Sequence, residues 1–320
     1  MSRNLIVVFP GLPERHAARI LAAAGSRGFR CRFFTEVSEA LPFLDSAEVV
    51  LGNSPDLSRN APNLRWICSP FAGIDPFMVP DAFANPSALL SCSSGAYGVT
   101  ISEHVIMVTL EILRRRQEYQ AHIRSREWIR QLPVRSIHSS RITLLGTGDI
   151  GRETVRRLRA FEPAQIVGVN RGGQNPGNLF DRIVRSESLD QVLPETDILI
   201  ISLPGTRDTC RMVSGQQLRL LPDSALIVNV GRGCVIDQAA LEKELRKGRL
   251  FAALDVFEQE PLPPDSTLWD CPNLNITPHV AGDTTLPHTV DRIVDLFLED
   301  FENYCAGRPL QRLVDRGIGY

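Results

Sequence analysis

Residues 142–151 limit the fold more than any other part of this 320-residue chain. Ile142-Thr143-Leu144-Leu145 is a short apolar run. Gly146-Thr147-Gly148-Asp149-Ile150-Gly151 follows at once, and a helical pattern begins at Arg152. A strand that passes into a helix through Gly-x-Gly-x-x-Gly suits a dinucleotide pyrophosphate. Gly146 permits the tight turn, Gly148 lets the backbone approach the pyrophosphate, and Gly151 lets the helix pack against the strand. Amides at the helix N-terminus then meet negative charge. Glycines at this spacing also mark plain strand–helix connections. The flanking strand and helix make the dinucleotide reading the stronger one.

The rest of the chain keeps the same rhythm. Short apolar runs stand at 5–9, 31–34, 49–51, 66–68 and 89–92, with a helical pattern at 14–24. A second series runs through 142–145, 152–161, 166–169, 186–192, 198–203, 215–220, 225–230, 237–247 and 252–256. A last strand begins at Ile276, and a helix over 286–305 closes the chain and returns to the first domain. Such alternation predicts α/β architecture with parallel sheets covered by helices. Between the two series, residues 99–130 contain neither Pro nor Gly. Ile101, Val105, Val108 and Ile112 recur there at helical spacing, which predicts one long helix.

Three further stretches each end on a residue that hydride chemistry needs. Arg232 follows the 225–230 strand in Asn229-Val230-Gly231-Arg232-Gly233. Residues at the carboxyl ends of parallel strands face the ligand crevice. A guanidinium there can grip a carboxylate through two parallel hydrogen bonds, and the flanking glycines leave room for substrate. His279 follows a strand in Thr277-Pro278-His279-Val280-Ala281-Gly282 and can protonate a carbonyl oxygen. Glu260 closes Asp255-Val256-Phe257-Glu258-Gln259-Glu260-Pro261. A carboxylate beside an imidazole orients the ring and favours its charged form. Taken singly, each has a bland alternative as a turn or surface residue. Of the other histidines, His16, His122 and His138 read as surface or loop residues, His104 as structural, and His288 is given no role.

At the end of the 166–169 strand an NAD site wants Asp or Glu for the ribose hydroxyls. This chain has Asn170-Arg171 instead. Asn does not repel a phosphate and Arg171 can hold one, so NADP is favoured over NAD. The alternative is that Arg171 stacks on adenine in either cofactor.

Bulk properties exclude other classes. A net charge of −2 gives no electrostatic reason to expect nucleic acid or membrane partners. No apolar run approaches the roughly 18 residues of a membrane span. The run Leu5-Ile6-Val7-Val8-Phe9 is too short for a signal peptide, so a cytoplasmic enzyme is expected. Seven cysteines, odd in number and without a Cys-x-x-Cys pair, argue for a reducing compartment and against a disulfide framework or a metal site. Cys234, beside Arg232, reads as a buried small hydrophobe rather than a reactive thiol.

Together these stretches resemble the D-isomer-specific 2-hydroxyacid dehydrogenases, over nearly the whole chain. Ser69-Pro70-Phe71-Ala72-Gly73-Ile74-Asp75 is similar to that family's substrate-carboxylate loop, and 94–104 to the segment entering its cofactor domain. The resemblance implies two doubly wound parallel-sheet domains. A Rossmann cofactor domain (99–286) is inserted into a flavodoxin-like substrate domain (1–98 and 287–320). It implies Arg232, Glu260 and His279 as the catalytic set. Phe71, Ala72 and Gly73 join Arg232 and His279 at the substrate, with amides around Ala72 and Gly73 on its carboxylate. Beside the glycine turn, Asn170 and Arg171, the cofactor would meet Leu203, Pro204, Thr209, Val230, Gly231, Asp255, Ala281 and Gly282. It also implies a homodimer built largely on the cofactor domain, with the long helix contributing. The Asn170-Arg171 pair resembles NADP-using glyoxylate and hydroxypyruvate reductases. Formate dehydrogenases carry Gln where Glu260 stands. Ser102, where much of the family has Ala, and bulky Phe71 depart from the pattern. The expected activity is NAD(P)H-dependent interconversion of small 2-oxo acids and D-2-hydroxy acids. The alternative is a dinucleotide-sensing, corepressor-like regulator on the same fold. A methyltransferase would leave the Arg, Glu and His set unexplained.

Overall fold

Short apolar strands joined through helices form parallel sheets because each crossover returns the chain to the same end. The computed structural model describes residues 3–319. They divide into two units: residues up to Tyr97 together with those from Thr284 onward, and Gly98–Asp283.

The first unit carries β1 (Arg3–Val8), β2 (Phe29–Phe34), β3 (Val49–Leu51), β4 (Trp66–Ser69) and β5 (Leu89–Cys92). Their order is β2-β1-β3-β4-β5, all parallel, which is the flavodoxin-like order. Strands β3 and β4 are buried at every residue, so they read as apolar runs without alternation. Helices α1 (Glu14–Ser26), α2 (Val37–Ala40) and α3 (Pro55–Arg59) connect them. The closing helix Pro287–Cys305 also belongs to this unit. Its Phe297 and Phe301 stack on Trp66 at ring separations of 5.5 and 6.5 Å. Trp66 is fully buried, and its indole N–H donates to Ser91 Oγ at 2.8 Å. His16 is not the surface residue expected. It shares the inner face of α1 with Ile20 and Ala24, is 2% exposed, and lies 2.7 Å from Asp291 of the closing helix. The spacing 16, 20, 24 is one helix face.

The second unit carries β6 (Arg141–Leu145), β7 (Gln165–Asn170), β8 (Arg182–Arg185), β9 (Ile198–Ile201), β10 (Leu226–Asn229), β11 (Phe251–Leu254) and β12 (Leu274–Ile276). Their order is β12-β11-β10-β9-β6-β7-β8, all parallel. This is the Rossmann order with one added edge strand. Its helices are α4 (Gly98–Leu113), α5 (Arg116–Arg124), α6 (Asp149–Leu158), α7 (Gly215–Leu220) and α8 (Gln238–Arg246); the closing helix is α9.

Several expectations need correction. The single helix over 99–130 is two, because Arg115 adopts a left-handed backbone (φ 54°) between α4 and α5. The apolar periodicity stops at Leu113, and α5 has no buried residue to hold it in line with α4. Ile276 ends β12 rather than beginning it. Edge strand β8 escapes notice because only Ile183 and Val184 are apolar, between two arginines. Cys210 and Cys234, 24 positions apart, form a disulfide with Cα atoms 4.9 Å apart, against the expectation of none. Backbone bonds bring their segments together: Arg211 N to Cys234 O (2.6 Å), Val213 N to Val235 O (3.0 Å) and Asp237 N to Val213 O (3.0 Å). Cys234 is half-buried and bonded, not a buried hydrophobe. Among the described residues no helix is long and apolar enough to cross a membrane.

The aromatic stack on Trp66 gives a stability prediction. Phe297→Ala should cost about 3–5 kcal/mol, the usual range for emptying an aromatic site in a core. Hydrogen exchange read by mass spectrometry should speed up in β4 and α9 peptides and stay unchanged in β6 and α6.

Candidate active site

The glycine turn is closed behind and open in front. Gly146 leaves β6 with φ 102°, which only glycine adopts freely. A Cβ at Gly151 would overlap the Gly146 carbonyl oxygen, so α6 packs on the turn at a distance no other residue allows. A Cβ at Gly148, the residue capping α6, would meet nothing within 4 Å. Asp149 and Ile150 form the first turn of α6. A row of helix-start amides under open space fits a dinucleotide pyrophosphate.

The end of β7 builds the next wall. Asn170 Nδ2 donates to Thr147 Oγ1 and to the Gln174 carbonyl, both at 2.8 Å, and its Oδ1 accepts from Gly173 N at 2.6 Å. Asn170 therefore shapes a turn that presents Arg171 on the exposed side. Arg185, paired with Asn170 in the β7–β8 register, runs alongside: a Cβ at Gly173 would lie 3.3 Å from its Cγ and Nε. After β9 come Leu203 and Pro204. Thr209 ties their loop, its hydroxyl donating to the Pro204 carbonyl at 2.5 Å and accepting from Thr206 N at 2.8 Å.

Arg232, Glu260 and His279 follow β10, β11 and β12, which are consecutive in the sheet. Buried Asn229 shapes the Arg232 turn, accepting from Gly231 N and donating to the Arg232 carbonyl, each at 3.0 Å. The flanking glycines serve neighbouring loops rather than substrate. A Cβ at Gly231 would come within 2.5 Å of the Leu203 carbonyl oxygen, and one at Gly233 would overlap the Phe257 carbonyl. Val230, just before this turn, is buried. Glu260 is held at both oxygens: Oε1 accepts from Phe257 N at 2.9 Å and Oε2 lies 2.6 Å from His279 Nδ1. The pair is partly exposed.

His279 has φ 54°, an uncommon conformation for a residue with a side chain. Asp255 enforces it. The Asp255 carbonyl accepts from His279 N at 2.9 Å. Its Oδ1 accepts from the Thr277 hydroxyl (2.6 Å) and Val280 N (2.9 Å), and its Oδ2 from Ala281 N (2.9 Å). Gly282 follows directly. The carboxylate is 2% exposed, so these bonds act out of water. His104 of α4 stands 3.3 Å from Thr277 Oγ1. The Thr277 proton goes to Asp255, so His104 Nε2 donates. Burial lowers the His104 pKa, against the pull of Asp255 and Glu111.

In the first unit, the loop after β4 is tied from three sides. Ser69 Oγ donates to Asn53 Oδ1 (2.8 Å) and accepts from Phe71 N (3.1 Å). Tyr97 OH donates to the Pro70 carbonyl at 2.8 Å and stacks on Phe71. Ala72 and Gly73 follow on this tied loop.

Residues 106–281 match the model of the D-isomer specific 2-hydroxyacid dehydrogenase, NAD binding domain. Glyoxylate/hydroxypyruvate reductase B of Pectobacterium atrosepticum is 32% identical over 76% of this chain and 78% of its own length. The chain belongs to the D-isomer specific 2-hydroxyacid dehydrogenase family. A member from Aeromonas salmonicida has a TM-score of 0.86 at 30% identity, covering 99% of this chain and 100% of that one. An NADPH-dependent glyoxylate/hydroxypyruvate reductase from Sinorhizobium meliloti, solved with NADP and sulfate, has a TM-score of 0.83 at 27% identity, with the same coverage. This dehydrogenase is thus an NAD(P)-dependent oxidoreductase of 2-hydroxy acids, with a Rossmann cofactor domain. The regulatory alternative draws no support from these relatives.

Sequence reasoning missed the supporting residues of the dehydrogenase: Asn229 under Arg232, Thr277 and His104 behind Asp255, and Arg185 alongside the Asn170–Gly173 turn. Only Asn229 carried a signal, as a polar residue ending a buried strand. Asp255→Asn would put an amide NH₂ against a backbone N–H that now meets carboxylate. A loss of about 1–3 kcal/mol is expected from that unpaired donor. Thermal unfolding should show it, with faster hydrogen exchange at 279–281.

Proposed function

We propose that the chain reduces small 2-oxo acids of the glyoxylate and hydroxypyruvate type to D-2-hydroxy acids, with NADPH preferred over NADH. The observation that carries this reading is His279 Nδ1 fixed 2.6 Å from Glu260, with His279, Glu260 and Arg232 following the consecutive strands β12, β11 and β10. The bound dinucleotide supplies a hydride. The chain supplies the rest. Arg232 binds the substrate carboxylate and polarises the adjacent carbonyl. Glu260 occupies Nδ1, which leaves His279 Nε2 to give its proton to the carbonyl oxygen. In the first unit, Phe71 N is already bonded to Ser69, so the amides assigned to the substrate carboxylate are those of Ala72 and Gly73.

The dinucleotide is assigned to Gly146–Gly151, Asn170 and Arg171, with Leu203, Pro204, Thr209, Val230, Gly231, Asp255, Ala281 and Gly282 around it. Uncharged Asn170, Arg171 on the turn after β7, and Arg185 at the end of β8 alongside that turn support a 2′-phosphate partner. The reading also makes the protein a cytoplasmic homodimer. Exposed Met107, Ile123, Trp128, Ile129 and Val134 in the α4–α5 segment and the arm after it support that dimer. A monomer in sedimentation at assay concentration would exclude it.

NADPH oxidation across a panel of 2-oxo acids tests the activity itself. His279→Ala should lower kcat by about 10² or more, the scale of lost general acid catalysis. NADPH affinity should hold, and normal turnover in the folded variant would remove His279 from the mechanism. Arg232→Lys should raise substrate KM sharply, because an ammonium cannot make the forked contact. Arg171→Ala should reduce kcat/KM far more with NADPH than with NADH. Equal loss with both cofactors would mean that Arg171 stacks on adenine.

A further inference from the structure

We propose that Cys210 and Cys234 form a reversible redox site that sets how firmly the Arg232 loop is held. Cys234 lies two positions after Arg232, in the 3-10 turn Gly233–Val235 whose Val235 N donates to the Arg232 carbonyl at 3.2 Å. Cys210 lies in the loop after β9, which carries Pro204 and Thr209. The bridge therefore joins two loops at the same edge of the sheet. Gly205 sits where they meet: a Cβ there would lie 3.1 Å from Arg232 Cγ and 3.3 Å from Cys234 Sγ. Arg232 and Cys234 thus border the same small space beside Gly205.

Three further observations favour a working site over a structural staple. Cys210 is exposed, so reductants and oxidants reach it, whereas a structural disulfide gains from burial. Three backbone bonds already hold 211–213 against 234–237, so the local fold survives reduction. The remaining cysteines are poorly suited to compete. Burial pushes the Cys31 and Cys68 thiols up to about 12 and raises Cys92, Cys271 and Cys305 as well.

The chemistry balances with a dithiol or a peroxide as co-reactant. In reduction, one thiolate of a dithiol attacks Cys210 Sγ and Cys234 leaves as thiolate and takes a proton. The second thiol of the reductant then releases Cys210 as a thiol, and the reductant ends as its own disulfide. In oxidation, the Cys210 thiolate attacks a peroxide oxygen and expels hydroxide, giving a sulfenic acid. The Cys234 thiol displaces that oxygen as water and closes the bridge. In a reducing compartment a bridge of this kind is transient and senses redox state.

Two readouts test this. The wild-type protein is equilibrated in glutathione buffers from reducing to oxidising and alkylated, and thiols are assigned by mass spectrometry. Cys210 and Cys234 should protect each other as the buffer becomes oxidising, while the other five cysteines do not change. Hydrogen exchange at 203–212 and 230–236 should be slower in the oxidised form. Where reductase activity is present, KM for glyoxylate should differ about fivefold or more between the forms, the low end of coupling between sites. Cys210→Ser should give the reduced values in every buffer. The KM arm rests on the reductase reading, but the thiol and exchange arms do not. A protein inactive on every 2-oxo acid would overturn that reading and leave the redox test intact. Free Cys210 and Cys234 in oxidising buffer, or identical exchange in both forms, would overturn the redox site.

Discussion

The edge of the second sheet that carries Arg232, Glu260 and His279 depends on backbone touching backbone. At Gly151, helix α6 rests on the carbonyl of Gly146. At Gly231 and Gly233, the Arg232 turn rests on the loops of its two neighbours, after β9 and after β11. Side chains cannot intrude at these points, so these loops sit at the closest spacing that polypeptide allows. Dispersion and hydrogen bonding across such contacts hold geometry without flexible side chains. This is the order of precision that catalysis requires, where an error of about 1 Å can cost about 10²-fold in rate.

A second device fixes the imidazole. The left-handed backbone at His279 is unfavourable and persists only because its surroundings dictate it. Asp255 supplies that constraint from the end of β11, accepting at its carbonyl and both carboxylate oxygens from residues 277–281. Glu260, six positions after the end of β11, then meets Nδ1. The loop after β11 thus presents one carboxylate that shapes the turn carrying His279 and another that orients its ring.

Much of this was legible in the sequence, and the reasons differ by level. The parallel sheets were legible because strands buried on both faces appear as unbroken apolar runs. Arg232, Glu260 and His279 could be picked out as candidates because each lies in a loop that follows such a run. Strand β8 was not, since an edge strand need not be apolar throughout. The break at Arg115 was not, since it turns on the loss of a buried face rather than on Pro or Gly. The glycines around Arg232 were legible as significant but were read as room for substrate. Their neighbours are Leu203, 28 positions before Gly231, and Phe257, 24 positions after Gly233, and no local pattern reveals them. The disulfide was hidden for the same reason. Cysteine spacing says nothing about two strand-end loops brought side by side by a parallel sheet.

That side-by-side arrangement also defines what surrounds the Arg232 turn. It is held on one side by Leu203 and the Cys210–Cys234 bridge, and on the other by Phe257, whose own amide binds Glu260. The loop after β9, the Arg232 turn and the loop bearing Glu260 are therefore linked in series. Their contacts are short backbone approaches, which transmit a displacement instead of absorbing it. The Cys210–Cys234 bridge is the covalent cross-link in that series, and the proposed redox site acts through it. A change at Cys210, on the solvent side, can reach the group assigned to the substrate carboxylate without unfolding anything between them.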